Sequence, residues 1–320
     1  MKLIIQIPCF NEGDTLPATV AGLPKSIDGI DIIEVLIVDD GSTDRTLEVA
    51  REIGVDHIRS NKKNIGLART FRNALDVSLE LGADIIVNTD GDNQYVGADI
   101  AKLIKPILTG EADLVVGDRK TGGISRFSTF KRMLQKLGST VVRSLADVDI
   151  PDTVSGFRAI SRDAAFRLNI VSPFSYTTEM LIQAGKKHMA VISVPISTNA
   201  KTRESRLFKS VPQFIERQVT TILRMYTMYQ PLRVFFFAGG LLIAIGLVPI
   251  MRFLVLFLID GGAGHIQSIV LGGLFVLMGF MCLLAGIVAD LINFNRQLIE
   301  LSLERIRKLE MDARDRPDKG

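Results

Sequence analysis

A chain of 320 residues leaves room for about two domains, and its 47 % hydrophobic side chains are unevenly placed along it. A net charge of +3 gives no support for nucleic acid as a partner. Two cysteines, Cys9 and Cys282, and three scattered histidines, His57, His188 and His265, exclude a disulfide framework and a zinc site of ordinary ligand spacing.

The opening segment MKLIIQIPCF lacks the long apolar region of a secretory signal and reads as a strand, so the N-terminal part is expected to stay on the side where it is made. From there to about residue 205, short Ile- and Val-rich runs alternate with helical patterns. The runs are LIIQIP, EVLIVDD, DIIVNTD and DLVVGD; between them, TDRTLEVAREIG and GLARTFRNALDVSLELG have helical spacing closed by glycine. This alternation predicts an α/β domain, a mostly parallel sheet flanked by helices, with ligands bound beyond the carboxyl ends of the strands.

Polar residues gather at those ends: Asn11 and Glu12 after the first run, Asp39, Asp40 and Ser42 after the second, and Asp90, Asp92, Asn93 and Gln94 after the third. The turn and cap preferences of Asp, Asn, Gly and Ser account for any one cluster taken alone. Together, three acidic clusters would face one crevice, where neighbouring carboxylates raise one another's pKa unless a cation neutralises them. Oxygen donors of this kind suit Mg2+ or Mn2+, which complete their shells with phosphate and water. Asp90, Asp92 and Gln94 are the expected ligands of a metal that bridges a diphosphate.

PCFNEG, VDDGSTD, TDGDNQ and DTVSGFR, in this order and at these separations, resemble the GT-A fold of family 2 glycosyltransferases, and within it the polyprenyl-phosphate sugar transferases related to dolichol-phosphate mannose synthase. The resemblance covers nearly all of the first 210 residues. It implies that Pro8, Phe10, Asn11, Glu12, Asp39 and Asp40 line the nucleoside pocket of a UDP- or GDP-linked nucleotide-sugar, that the metal loop holds its diphosphate, and that the acceptor is a polyprenyl phosphate. Relatives often carry a bulkier residue where this chain has Gly91; the change is expected to keep the metal role and to alter how the loop sits against the sugar.

A lipid phosphate is already anionic at pH 7, so its attack on the sugar needs positioning and charge stabilisation more than a strong base. Cations should therefore converge on the site. Arg119, Arg132 beside Lys131, Arg203 and Arg206 match positions where the resembling family collects basic residues for the lipid phosphate, and the arginine fork suits phosphate oxygens. Asp152 precedes Ser155, Gly156 and Phe157, and Gly156 allows a close backbone approach. Asp152 reads as an orienting group for sugar hydroxyls, as an acceptor-side charge, or as a turn cap.

The segment 209–231, which contains SVPQFIERQVTTILRMYTMY, carries one apolar helical face opposite Arg217 and Arg224, which suits a helix lying in the membrane interface or packing on a second copy in a homo-oligomer. Val234 to Met251 and Ile269 to Ala289 contain no charged side chain, and two membrane-spanning helices within 232–292 are expected. Arg217, Arg224 and Arg233 precede the first span and Arg296, Arg305, Arg307 and Lys308 follow the second, whereas the connecting DGGAGHIQS has neither Lys nor Arg. The bias predicts a cytoplasmic domain over 1–208 and both termini cytoplasmic, with 293–320 a helical tail. A processive polysaccharide synthase is the competing enzyme reading, against which the chain has no tryptophan for the Gln-x-x-Arg-Trp segment those enzymes resemble. A scaffold that keeps the fold without catalysis would be expected to lack the metal aspartates or the basic residues.

Overall fold

The strand read from the first residues is β1 (Lys2–Cys9), which pairs in parallel on both sides, with β2 (Ile32–Asp39) and with β4 (Ile85–Asn88). The computed structural model describes residues 1–119, 143, 148–171, 176–199, 220, 223–224, 227–260 and 266–314. The chain divides into two compact units, Met1–Gln218 with Glu304–Gly320, and Val219–Leu303.

Among the described residues of the first unit, seven strands run in the order β3-β2-β1-β4-β6-β5-β7. Beyond the strands already given, these are β3 (His57–Ser60), β5 (Leu114–Asp118), β6 (Arg158–Ser161) and β7 (Val191–Pro195). Only β6 is antiparallel to its neighbours, so the sheet is mostly parallel, as expected. The pleat explains the core. Leu3, Ile5 and Ile7 of β1 pack on one face with Leu16 of α1 (Leu16–Ala21), Ala50 of α2 (Thr46–Glu52) and Ile100, Leu103 and Ile104 of α4 (Ile100–Leu108).

On the other face lies α3 (Leu67–Glu80), where the Ser78 hydroxyl donates to Gln6 Oε1 at 3.3 Å. Gln6 is fully buried and is satisfied by Asn88 as well, its Nε2 donating to Asn88 Oδ1 at 3.1 Å. Two helices follow β6 before β7: α5 (Arg162–Arg167) and α6 (Tyr176–Lys186). The last turns of the chain's final helix also belong to this unit. Lys308 Nζ lies 2.8 Å from Asp163 Oδ1, and Arg307 donates to the Leu168 carbonyl at 3.3 Å.

The second unit is built on α7 (Pro231–Asp260) and α8 (Ile266–Arg314). Both are long and apolar enough to cross a membrane, and most of their large apolar side chains are exposed. They pack antiparallel through glycines seven residues apart. A Cβ on Gly239 would stand 2.8 Å from the Gly279 carbonyl, and one on Gly246 would stand 2.7 Å from that of Gly272. The tail expected from residue 293 is the unbroken continuation of α8. The interface segment 209–231 lies largely outside the described residues.

Candidate active site

Parallel strands deliver their carboxyl ends to one edge, and register fixes which residues meet there: Cys9 stands opposite Asp39, and Asp39 opposite Ser60. The loops after β1 and β2 are stitched by Asn11, whose N–H donates to Ser42 Oγ at 2.9 Å and whose Oδ1 accepts the Thr43 N–H at 2.8 Å. Asn11 holds a φ of 56°, a left-handed backbone that asparagine tolerates better than most residues. The Glu12 N–H donates to Thr46 Oγ1, and its carbonyl accepts the Thr15 and Leu16 N–H groups at the start of α1. Pro8 is buried in β1, whereas Phe10 is exposed just past the strand.

The two aspartates after β2 have different surroundings. Asp39 is fully buried and accepts the Ser42 N–H at 3.2 Å and the Ser60 hydroxyl at 3.0 Å. Asp40 accepts the N–H groups of Ile65 and Gly66 at 2.9 Å and the Asn61 amide at 3.0 Å, so it clamps the loop into α3. Gly41 between Asp40 and Ser42 is obligatory: its φ is 70°, and a Cβ would lie 2.6 Å from the Lys63 carbonyl carbon.

After β4 the chain enters the loop Asp90-Gly91-Asp92-Asn93-Gln94. Asp92 Oδ1 accepts the Gln94 N–H at 3.1 Å and closes the turn. The Gly91 carbonyl accepts the hydroxyls of Thr15 at 2.7 Å and Thr19 at 3.2 Å. A Cβ at Gly91 would approach Cys9 Sγ to 3.1 Å and Glu12 Cγ to 3.2 Å. The missing side chain therefore lets the loop settle on the β1 end; the space it leaves points at Cys9 and Glu12.

Asp90 sits at the floor of the site. Recess from solvent, then the nearby charge of Asp92, pushes its carboxyl from 3.8 up to about 7, while Arg119 and a hydrogen bond from Tyr95 pull the other way. The close approach expected at Gly156 is to this group: a Cβ there would fall 2.9 Å from Asp90 Oδ1 and from the Tyr176 hydroxyl. The Gly156 N–H donates to the Tyr95 hydroxyl at 3.0 Å, and its carbonyl accepts from the Asn88 amide at 2.8 Å. Tyr95 stacks on Phe157 at 4.9 Å and Tyr176 on Phe71 at 4.2 Å, which fixes both rings.

Arg119 and Asp152 form a two-pronged ion pair, Nε to Oδ2 at 2.7 Å and Nη2 to Oδ1 at 3.0 Å. Burial opposes the Arg119 charge, but Asp152, together with Tyr95 and Asp90, outweighs it and holds the guanidinium above its ordinary value. The contacts of Asp152 are those of a group that orients Arg119, a role apart from the three expected. Arg158 is the residue that hydropathy patterning misses. It is fully buried, donates to the carbonyls of Ser155 at 2.9 Å, Thr177 at 2.6 Å and Thr153 at 2.9 Å, and is lowered to about 10 by burial. It shapes the 153–156 turn from below.

Arg132, Arg203 and Arg206 lie outside the described residues. Among the described residues no group of three or more His, Cys, Asp or Glu side chains is arranged to hold a metal; the set expected from the sequence is two carboxylates, Asp90 and Asp92, with the Gln94 amide. That set fits a hard divalent cation. A carboxylate that resists ionising beside a second one, in a cradle that a single Cβ would fill, gains from a bound cation.

Comparison with known proteins gives consistent relatives. The profile of Glycosyl transferase family 2 matches residues 4–167. Polyprenol monophosphomannose synthase of Mycolicibacterium smegmatis is 27% identical over 207 residues, covering 61% of this chain and 77% of that protein. UDP-N-acetylglucosamine--dolichyl-phosphate N-acetylglucosaminyltransferase of Methanococcus voltae is 30% identical over 226 residues, covering 62% and 86%. Glucosyl-3-phosphoglycerate synthase from Mycobacterium tuberculosis, solved with Mn2+, UDP and phosphoglyceric acid, shares the fold with a TM-score of 0.53 at 21% identity, covering 69% of this chain and 77% of that one.

Proposed function

The chain belongs to glycosyl transferase family 2, and on that premise we propose that it transfers a single sugar from a UDP- or GDP-linked donor to a polyprenyl phosphate at the cytoplasmic membrane face, with a divalent metal and with inversion at the sugar carbon. The observation that carries this reading is the Asp90–Asp92 pair at the carboxyl edge of the sheet, in a chain that also has two helices able to cross a membrane. Relatives named for transfer to polyprenol and dolichyl phosphate, and a fold neighbour solved with Mn2+ and UDP, support it.

In this reading Asp90, Asp92 and Gln94 hold Mg2+ or Mn2+. Bound there, the ion supplies charge neutralisation for the diphosphate leaving group. Phe10, Asn11, Glu12 and Asp39 flank the nucleoside, while Pro8 and Asp40 keep the walls in place. Arg119, aimed by Asp152, faces the diphosphate side of the site. The lipid phosphate, gripped by Arg132, Arg203 and Arg206, attacks the sugar carbon opposite the diphosphate. One C–O bond forms as the other breaks, and no proton must move, because the nucleophile is already an anion. Lys and Arg flank both spans on the side of the catalytic unit and are absent from the loop between them, which supports cytoplasmic termini.

The deciding experiment incubates purified protein with a panel of nucleotide-sugars, Mn2+ and extracted polyprenyl phosphate, then weighs the lipid product by mass spectrometry. A lipid heavier by one hexose or N-acetylhexosamine is the expected result. Polymer growth, or no lipid-linked sugar from a protein that binds nucleotide, would overturn it.

A further inference from the structure

Beyond β7 the chain turns back onto the metal loop. The Ser197 N–H donates to Asp99 Oδ2 at 2.6 Å, Thr198 forms an isolated antiparallel bridge with Tyr95, and the Asn199 N–H donates to the Gln94 carbonyl at 2.9 Å. The Asn199 side chain adds Nδ2 to the Asn93 carbonyl at 2.9 Å and to Asn93 Oδ1 at 3.3 Å. Residues 197–199 thus lie as a short strap along 93–95, directly after Asp92.

Asn93 has a φ of 56°, in the left-handed region that is uncommon for residues other than glycine. Something must hold that peptide in place. Asp92 Oδ1 takes the Gln94 N–H from one side, and Asn199 takes the carbonyls of Asn93 and Gln94 from the other. With both ends fastened, the backbone that carries Asp92 and Gln94 has one orientation.

We propose that Asn199 is a positioning residue for the donor side of the site: it fixes the Asp92–Gln94 loop in the conformation that receives a metal-bound nucleoside diphosphate. The inference rests on the functional reading above. Asn199 is followed in sequence by the segment carrying Arg203 and Arg206, which belong to the acceptor side in that reading.

The test is Asn199→Ala in the full chain, where the side chain is exposed and its removal opens no cavity. Mn2+ binding is titrated in the presence of UDP and, in parallel, GDP, and hydrogen exchange of residues 92–96 is followed in the metal-free protein. Thr198→Ala, which keeps its backbone bridge, serves as the control. Loss of two side-chain hydrogen bonds should raise the Mn2+ concentration at half-saturation by about tenfold and speed exchange over 92–96. Both effects should be absent in Thr198→Ala, with KM for polyprenyl phosphate near that of the parent. A variant whose KM for the lipid rises while Mn2+ affinity and exchange stay unchanged would assign Asn199 to the acceptor side and overturn the proposal. Equally fatal would be a lower melting temperature with neither change. Binding and exchange need no acceptor, so they decide Asn199 even where the transfer reaction itself fails.

Discussion

Asp90→Asn should make the metal-free protein more stable at pH 8 while removing its capacity to hold metal. Recess from solvent, reinforced by Asp92, moves the Asp90 carboxyl from 3.8 to about 7. A rise of that size is roughly 4 kcal/mol against ionisation once the pH exceeds both values. Because the folded-state value lies above the unfolded one, the group favours folding most below about pH 4, and that contribution is lost as the pH rises through about 7. Arg119 and Tyr95 already enter that value, but the amide replaces one acceptor oxygen with an N–H donor, so a net gain of about 2 kcal/mol is the working figure, or about 4–8 °C in melting temperature for a unit of this size. The assay is thermal denaturation of the full chain in mild detergent with EDTA, at pH 8 and at pH 5, followed by Mn2+ titration with UDP or GDP. At pH 5 the folded parent's carboxyl is protonated while that of the unfolded chain is mostly ionised, so roughly 1.5 kcal/mol of the penalty remains and the variant's advantage should shrink by more than half. An asparagine variant that melts below the parent at pH 8, or whose advantage persists undiminished at pH 5, would refute the reasoning.

Gly156→Ala drives a methyl to 2.9 Å from Asp90 and Tyr176; calorimetry with Mn2+ and nucleotide should find donor affinity down tenfold or more, and melting should report a loss of about 1–3 kcal/mol. Replacing Arg203 and Arg206 together by alanine removes charge-assisted bonds worth about 1.5–3 kcal/mol each, so transfer should fall at least about tenfold through the dependence on lipid, with donor binding unchanged by calorimetry. Gly279→Leu meets Ile243 Cγ1 at 2.6 Å and the Gly239 carbonyl at 2.7 Å; the hairpin should splay, and the yield of monodisperse protein in mild detergent should drop sharply. A cysteine at Gln267 should react with an impermeant maleimide on intact cells, and one at Glu310 should not; the reverse pattern would put the catalytic unit outside.

The strands that were legible in the sequence are the Ile- and Val-rich ones of the sheet interior. β1, β2, β4 and β5 read as apolar runs, interrupted only by Gln6 and Glu34, because helices cover most of their length. β3 escaped notice because HIRS sits at the sheet edge with polar side chains. β6 escaped because it begins with Arg158, a guanidinium that hydropathy assigns to solvent and that the fold buries against three carbonyls. The acidic clusters were legible as a set, and their individual jobs were not. Asp40 and Asp90 are the same residue type at similar strand ends, yet one closes a loop with its oxygens and the other is left with a carboxyl that resists ionising. That distinction depends on which N–H groups arrive from residues 65 and 66, and on a glycine 66 positions away in sequence, information that no local window contains.

The glycine seam of the hairpin limits where an acceptor's tail can run. Wherever Gly239 meets Gly279 and Gly246 meets Gly272, backbone oxygens stand where a single methyl group would collide, so no methylene chain can thread between the two helices. An apolar chain meeting this hairpin would have to lie along the outer flanks of α7 and α8, among side chains such as Phe237, Val248 and Leu277 that face outward. Such a surface offers apolar side chains along its length. Selection among acceptors would then rest on the phosphate end, and chain length would be read only loosely, through the area of contact.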